Sequence, residues 1–222
     1  MNVDVAEIFF QAIAFLFAVS VHESAHAWTA NRCGDPTARM LGRISLNPIK
    51  HIDPIGTILF PALAMISGIG FIGWAKPVPV NPQNFSKPMR DDVLTSVAGP
   101  VSNFLVAFFA VMGLAFISAV LPGGREAVVA GRDTGTFAVP LVVMLHAFLF
   151  INILLAVFNL IPIPPLDGSH VLRHMLPERA RNIYDTAGLI GLFLLMFVGG
   201  RILNVLLPPF ERFFYTLLGI VT

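Results

Sequence analysis

Five apolar runs divide the 222 residues, at about 5–30, 55–73, 93–121, 138–161 and 186–207. Each is close to the roughly 20 residues an α-helix needs to cross hydrocarbon. No water pairs with peptide groups inside a bilayer, so a spanning run must close its hydrogen bonds within itself, as a helix does. Composition agrees, with 56% hydrophobic and only 12% charged residues and a mean hydropathy of +0.79. Soluble domains carry about 25% charged residues. The expected fold is therefore an all-α polytopic membrane protein with about four to five transmembrane helices. A single domain is expected over 1–222, with a core at 5–176 and carboxy-terminal helices across 186–222. The net charge of +1 argues against a nucleic-acid partner, and the one cysteine, Cys33, excludes an internal disulfide. The opening Met-Asn-Val-Asp lacks a positive stretch, so the first run reads as a retained span. Nothing in the pattern speaks to oligomeric state.

Within the first run lies His22-Glu23-Ser24-Ala25-His26. Ionisable residues are costly in a membrane, about 3 kcal/mol or more each on insertion scales, and are functional candidates by default. On a helix, residues four apart share a face, so both imidazoles can reach one Zn²⁺, with Glu23 placed as a general base. The competing reading is a helix end with interfacial histidines. HExxH needs a third protein ligand, and Asp167 is the best candidate, at the end of Asn159-Leu160-Ile161-Pro162-Ile163-Pro164-Pro165-Leu166-Asp167-Gly168. The prolines end the preceding span and imply an extended path. The competing reading of Asp167 is an N-cap for the short helical pattern that follows, to Leu176. Asn159, on one face with Asn152, is either a helix-bridging amide or a donor to a developing oxyanion. Asn103 and His146 read as helix-bridging residues, and His170 and His174 as surface residues. His51 and Asp53 read as part of an interfacial loop, with Asp53 capping a helix that starts at Pro54, or as a second polar cluster near the metal.

For His26 and Asp167 to meet at one depth, the spans that carry them must run in the same direction. An odd number of crossings must then separate them, so 55–73 should be re-entrant, with an extended or re-entrant segment around 55–80. Lys and Arg concentrate on cytoplasmic flanks. With this topology one side collects Arg32, Arg39, Arg43, Lys50, Lys76, Lys87, Arg90, Arg173, Arg179 and Arg181, and the other Arg125 and Arg132, with Arg201 and Arg212 near the last span. The amino terminus is then outside and the HESAH end cytoplasmic.

Gly73-Trp74-Ala75-Lys76-Pro77-Val78-Pro79-Val80-Asn81-Pro82 cannot be helical, because proline recurs at alternate positions. In an extended segment Pro77 and Pro79 remove donors from one edge only. The edge bearing the N–H groups of Lys76, Val78 and Val80 stays able to receive an unwound substrate by strand addition. A rigid connector is the equal alternative.

HESAH in an apolar helix, Ser96-Val97-Ala98-Gly99-Pro100-Val101-Ser102-Asn103 opening a later span and the NLIPIPPLDG stretch together resemble the site-2 protease family of intramembrane zinc metalloproteases. The GWAKPVPVNP and HIDPIGT stretches are similar to its short prokaryotic members, and no insert resembles the PDZ domain that some members carry. The resemblance runs from about residue 15 to 176. It implies one Zn²⁺ per chain held by His22, His26 and Asp167, Glu23 as catalytic acid/base, and a transmembrane protein substrate met in the lipid bilayer. Other classes compatible with intramembrane His, Glu and Asp are a metal or proton transporter and a metal-binding scaffold that does not cleave. Transport predicts ionisable residues strung along a path, whereas these cluster near one side.

Overall fold

The computed structural model describes residues 5–59, 75–130 and 138–219. The described residues fold into helices joined by turns and short irregular segments, with no strand among them. The principal helices are α1 (Val5–Arg32), α2 (Thr37–Met40), α3 (Pro88–Val120), α4 (Gly124–Ala130), α5 (Val139–Asn159), α6 (Asp167–Met175) and α7 (Glu178–Leu217). Between α2 and α3 lie single turns at Pro48–Lys50 and Pro82–Asn84 and a π-helical turn at Pro54–Leu59. Of the described helices α1, α3 and α5 are long and apolar enough to cross a membrane. The run at 186–207 forms the middle of the 40-residue α7, and most of the run at 55–73 lies outside the described residues. The re-entrant expectation for 60–73 therefore falls there too.

The chain forms two compact units, one of residues 19–99 and one of residues 1–18 with 100–222. The larger unit is an apolar core of helices. Ala107, Val111 and Leu114 of α3, Leu149, Ile153 and Val157 of α5, and Leu207 and Phe214 of α7 are buried together. Phe104 stacks on Phe210 with ring centroids 5.3 Å apart. One buried polar tie crosses this core. Asn103, fully buried, donates through Nδ2 to Asn152 Oδ1 at 2.8 Å and to the Ala18 carbonyl at 3.3 Å. It bridges helices, as its position in a small-residue stretch suggests.

The smaller unit is held differently, by hydrogen bonds around buried charges. Its apolar cluster is small: Ala30, Cys33 and Phe85, with Val80 packed against them. Asp35, fully buried just beyond α1, accepts from the Thr37 amide and hydroxyl, from the Asn81 amide at 2.7 Å and from Asn84 Nδ2 at 2.8 Å. Burial alone would raise the Asp35 carboxyl; these donors outweigh it and hold the group below its ordinary range. Gly34 adopts φ +112°, and a Cβ there would sit 2.8 Å from the Asn84 carbonyl oxygen, so the chain approaches this closely only with glycine. The Ser86 amide completes the tie by donating to the Cys33 carbonyl at 3.1 Å. Segment 81–86 is thus fastened to the end of α1.

Candidate metal centre and its strap

α1 carries His22 and His26 one turn apart, and both are buried, 6% and 8% exposed. Their ring centroids are 4.6 Å apart, and a ligand nitrogen of each lies within 4.8 Å of the other's. His26 Nδ1 is 2.7 Å from the Thr95 carbonyl oxygen. A carbonyl only accepts, so Nδ1 carries the proton and Nε2 keeps its lone pair. That is the second hydrogen bond that metal-binding histidines ordinarily make. The opening stretch of α3 supplies the space. A Cβ built on Gly99 would fall 2.6 Å from His22 Nε2 and closer still to His26 Nε2, so both nitrogens converge on a notch that any larger residue would fill. Two buried imidazoles with Nε2 atoms converging, one tautomer fixed from behind, are a donor set that suits Zn²⁺.

Glu23 is half-buried and accepts a hydrogen bond from the Val78 amide, Oε2 to N 3.1 Å. Residues 75–81 form neither helix nor ladder and meet α1 at Glu23 as a strap. Here the expectation of an open edge is corrected. The Lys76 amide donates to the His51 carbonyl at 2.9 Å and the Val78 amide to Glu23, so two of the three proposed donors already have partners. Arg43, 6% exposed, donates through Nη2 to the Lys76 carbonyl and, at 3.2 Å, to that of Pro77. Burial draws the Arg43 pKa below its usual value, and the charge of Glu23 opposes this.

His51, in the loop before Pro54, is 1% exposed. Its Nε2 donates to the Ser45 carbonyl at 2.7 Å and lies 3.5 Å from Ser24 Oγ, inside the HESAH stretch. Ser24 Oγ donates to the same Ser45 carbonyl and accepts from the Ser45 amide at 3.3 Å. Desolvation keeps the His51 pKa below the ordinary imidazole value. Asp53 does cap the turn at Pro54, with Oδ1 accepting from the Ile55 and Gly56 amides at 2.9 and 2.8 Å.

In the larger unit, Asp167 is half-buried and opens α6 as its first helical residue; Leu166 occupies the capping position and makes no side-chain cap. The segment before it is compact rather than extended. It turns through Ile163 N to Ile161 O, 2.8 Å, and Leu166 N to Ile163 O, 2.9 Å, with a cis bond between Pro164 and Pro165. Gly168 lets α6 start against this turn, since a Cβ would lie 2.6 Å from the Leu160 carbonyl carbon. Asn159 is half-buried at the end of α5, and one of its amide hydrogens goes to the Leu155 carbonyl at 2.9 Å. His146 Nε2 reaches the Val128 carbonyl at 3.3 Å, tying α5 to α4 as expected. His170 and His174 are half-buried on α6.

Three participants escape sequence reasoning. Thr95 acts through its backbone, which no side-chain pattern announces. Gly99 reads as one small residue among several, and Arg43 as one of many positive flanking charges.

The sequence model of peptidase family M50 matches residues 10–198. The chain is 39% identical over 188 residues to the Bacillus subtilis (strain 168) protein named zinc metalloprotease YwhC, covering 84% of this chain and 78% of that one. It is 32% identical over 180 residues to zinc metalloprotease Rip2 of Mycolicibacterium smegmatis, covering 79% and 61%. Against regulator of sigma-E protease RseP of Escherichia coli (strain K12) it is 32% identical over 123 residues, covering 52% and 26%. No solved structure matches the chain. With this match over most of its length and histidines arranged to receive a metal, the chain belongs to peptidase family M50, the site-2 protease family, and is a zinc metalloprotease of the membrane.

Proposed function

We propose that the protein is an intramembrane endopeptidase that hydrolyses a peptide bond in or near a transmembrane helix of another membrane protein, in regulated intramembrane proteolysis. The observation that carries this reading is the convergence of His22 and His26 Nε2 on the Gly99 notch, inside an apolar helix and one residue from Glu23. Asp167 is the proposed third ligand, which leaves one of four positions open for the reaction, as catalytic zinc sites require. Its support is the donor chemistry, a carboxylate completing two imidazoles. One zinc per chain is expected.

When bound, zinc would polarise the scissile carbonyl and lower the pKa of a water toward neutrality. Glu23 takes that water's proton and returns it to the leaving amine. Asn159 has a second amide hydrogen beyond the one on Leu155, and donates it to the developing oxyanion. The substrate helix must unwind to expose its carbonyl, and the strap is the proposed element that receives it, at Val80, since the Lys76 and Val78 amides are engaged. The Val78 amide rests on Glu23 and keeps that carboxylate beside the two histidines.

The basic flanks support an orientation with the HESAH end of α1 on the cytoplasmic side and the amino terminus outside. At 1.5 Å per residue, His26 and His22 lie about 9 and 15 Å inside the Arg32 end of α1, a short route for water. Zinc content of purified variants tests the ligand set. His22→Ala, His26→Ala and Asp167→Asn are each expected to lose bound zinc, and Glu23→Gln to keep it. Stoichiometric zinc in Asp167→Asn would remove Asp167 from the set.

A further inference from the structure

The strap meets the HESAH helix through one backbone donor, and its sequence makes that donor sensitive to register. Val78 stands between Pro77 and Pro79, neither of which has an N–H. A slip of one residue in either direction would therefore present a proline to Glu23 and abolish the hydrogen bond. The strap is pinned on both sides of this point. Before it, the Lys76 amide is held by the His51 carbonyl, and the Lys76 and Pro77 carbonyls by Arg43. After it, the Asn81 amide is held by Asp35. Arg43 is itself anchored, with its own amide on the Ala38 carbonyl at 2.9 Å.

A buried guanidinium is a poor way to gain stability, since apolar side chains of similar volume serve as well or better. In Arg43 the Nε finds no hydrogen-bond partner among the described residues, while one terminal nitrogen serves two consecutive carbonyls. Two adjacent carbonyls read by one donor group fix a chain lengthwise, which a single contact does not.

We propose that Arg43 is a positioning residue for the reaction: it sets the register of the strap, and through the Val78 amide it holds the Glu23 carboxylate in place beside His22 and His26. The inference rests on the reading of Glu23 as the proton carrier. Arg43 touches neither substrate nor metal in this scheme; it acts through residues 76–78.

The test compares Arg43→Met, which keeps the apolar stem and removes the donors, with Arg43→Lys, which restores a donor. Both are made in the full-length protein and assayed on a single-span reporter chosen because the wild type cuts it. Misplacement of a catalytic group by about 1 Å costs on the order of 100-fold, so kcat of Arg43→Met should fall by about tenfold or more at unchanged zinc content. Arg43→Lys should recover to within about threefold of wild type, the guanidinium fork being only partly replaced. Amide exchange across 76–80 should quicken in Arg43→Met and be slowed again in Arg43→Lys. The proposal is overturned if Arg43→Met keeps kcat within twofold, if only KM rises, or if zinc is lost along with activity. Glu23→Gln on the same reporter separates the two claims. If it cleaves like wild type, the Glu23 reading fails. If it is inactive while Arg43→Met is not, the Arg43 proposal alone fails.

Discussion

Gly99 contributes no atom to the chemistry and yet governs whether two imidazoles can share an ion. Gly99→Ala would put a methyl group against both Nε2 atoms. Rearranging groups that support metal ligands typically costs 10- to 100-fold in affinity, so Gly99→Ala should weaken zinc binding by about that factor, measured by competition with a chelator. Wild-type affinity in that variant would mean the notch has no part in holding the ion. At this scale the sequence is legible where chemistry depends on short-range spacing. HESAH places its own two ligands one helical turn apart whatever surrounds it. What supports them is not legible, because the Thr95 carbonyl and the Gly99 notch arrive from residues 69 to 77 positions away, and a carbonyl carries no residue-specific signal.

Among the elements, the strap depends most on a distant charge. Asp35 receives four donors, and removing a partner from buried donors costs about 1–3 kcal/mol. Asp35→Ala should therefore lower thermal stability by roughly that amount and speed amide exchange at 76–84. Its carboxyl is held below the ordinary carboxylate range, so its contribution is complete above the unfolded value of 3.8 and is lost as pH falls through the lower folded value. Acid titration followed by exchange at 76–84 checks the sign, and Asp35→Asn should flatten that dependence. The alternating prolines exclude a helix here, and residues 75–81 form none. They do not reveal that its amides are already engaged, since the partners, His51 and Glu23, lie in other elements. The Pro162 to Pro165 stretch shows the same limit: prolines exclude helix, but the choice between an extended path and a turn is made by packing, including the contact that Gly168 permits.

For the molecule as a whole, class follows from hydropathy, because apolar runs of this length have few folded alternatives to membrane helices. Orientation rests on the arginines and lysines. Gln83 is exposed beside the strap, so Gln83→Cys in a Cys33→Ser background should react with an impermeant maleimide in inverted vesicles and not in right-side-out ones. The reverse pattern would invert the topology. A transporter built from the same residues would need no intact Glu23 proton cycle at a peptide bond, and would leave a single-span protein whole. Product mapping separates these accounts. Purified wild type and Glu23→Gln are incubated with a single-span reporter, with and without chelator, and new termini are located by mass spectrometry. The proposed function predicts a cut within or beside the reporter's apolar span in the wild type alone, abolished by chelation and restored by Zn²⁺. The same cut made by Glu23→Gln, or made without metal, would contradict it.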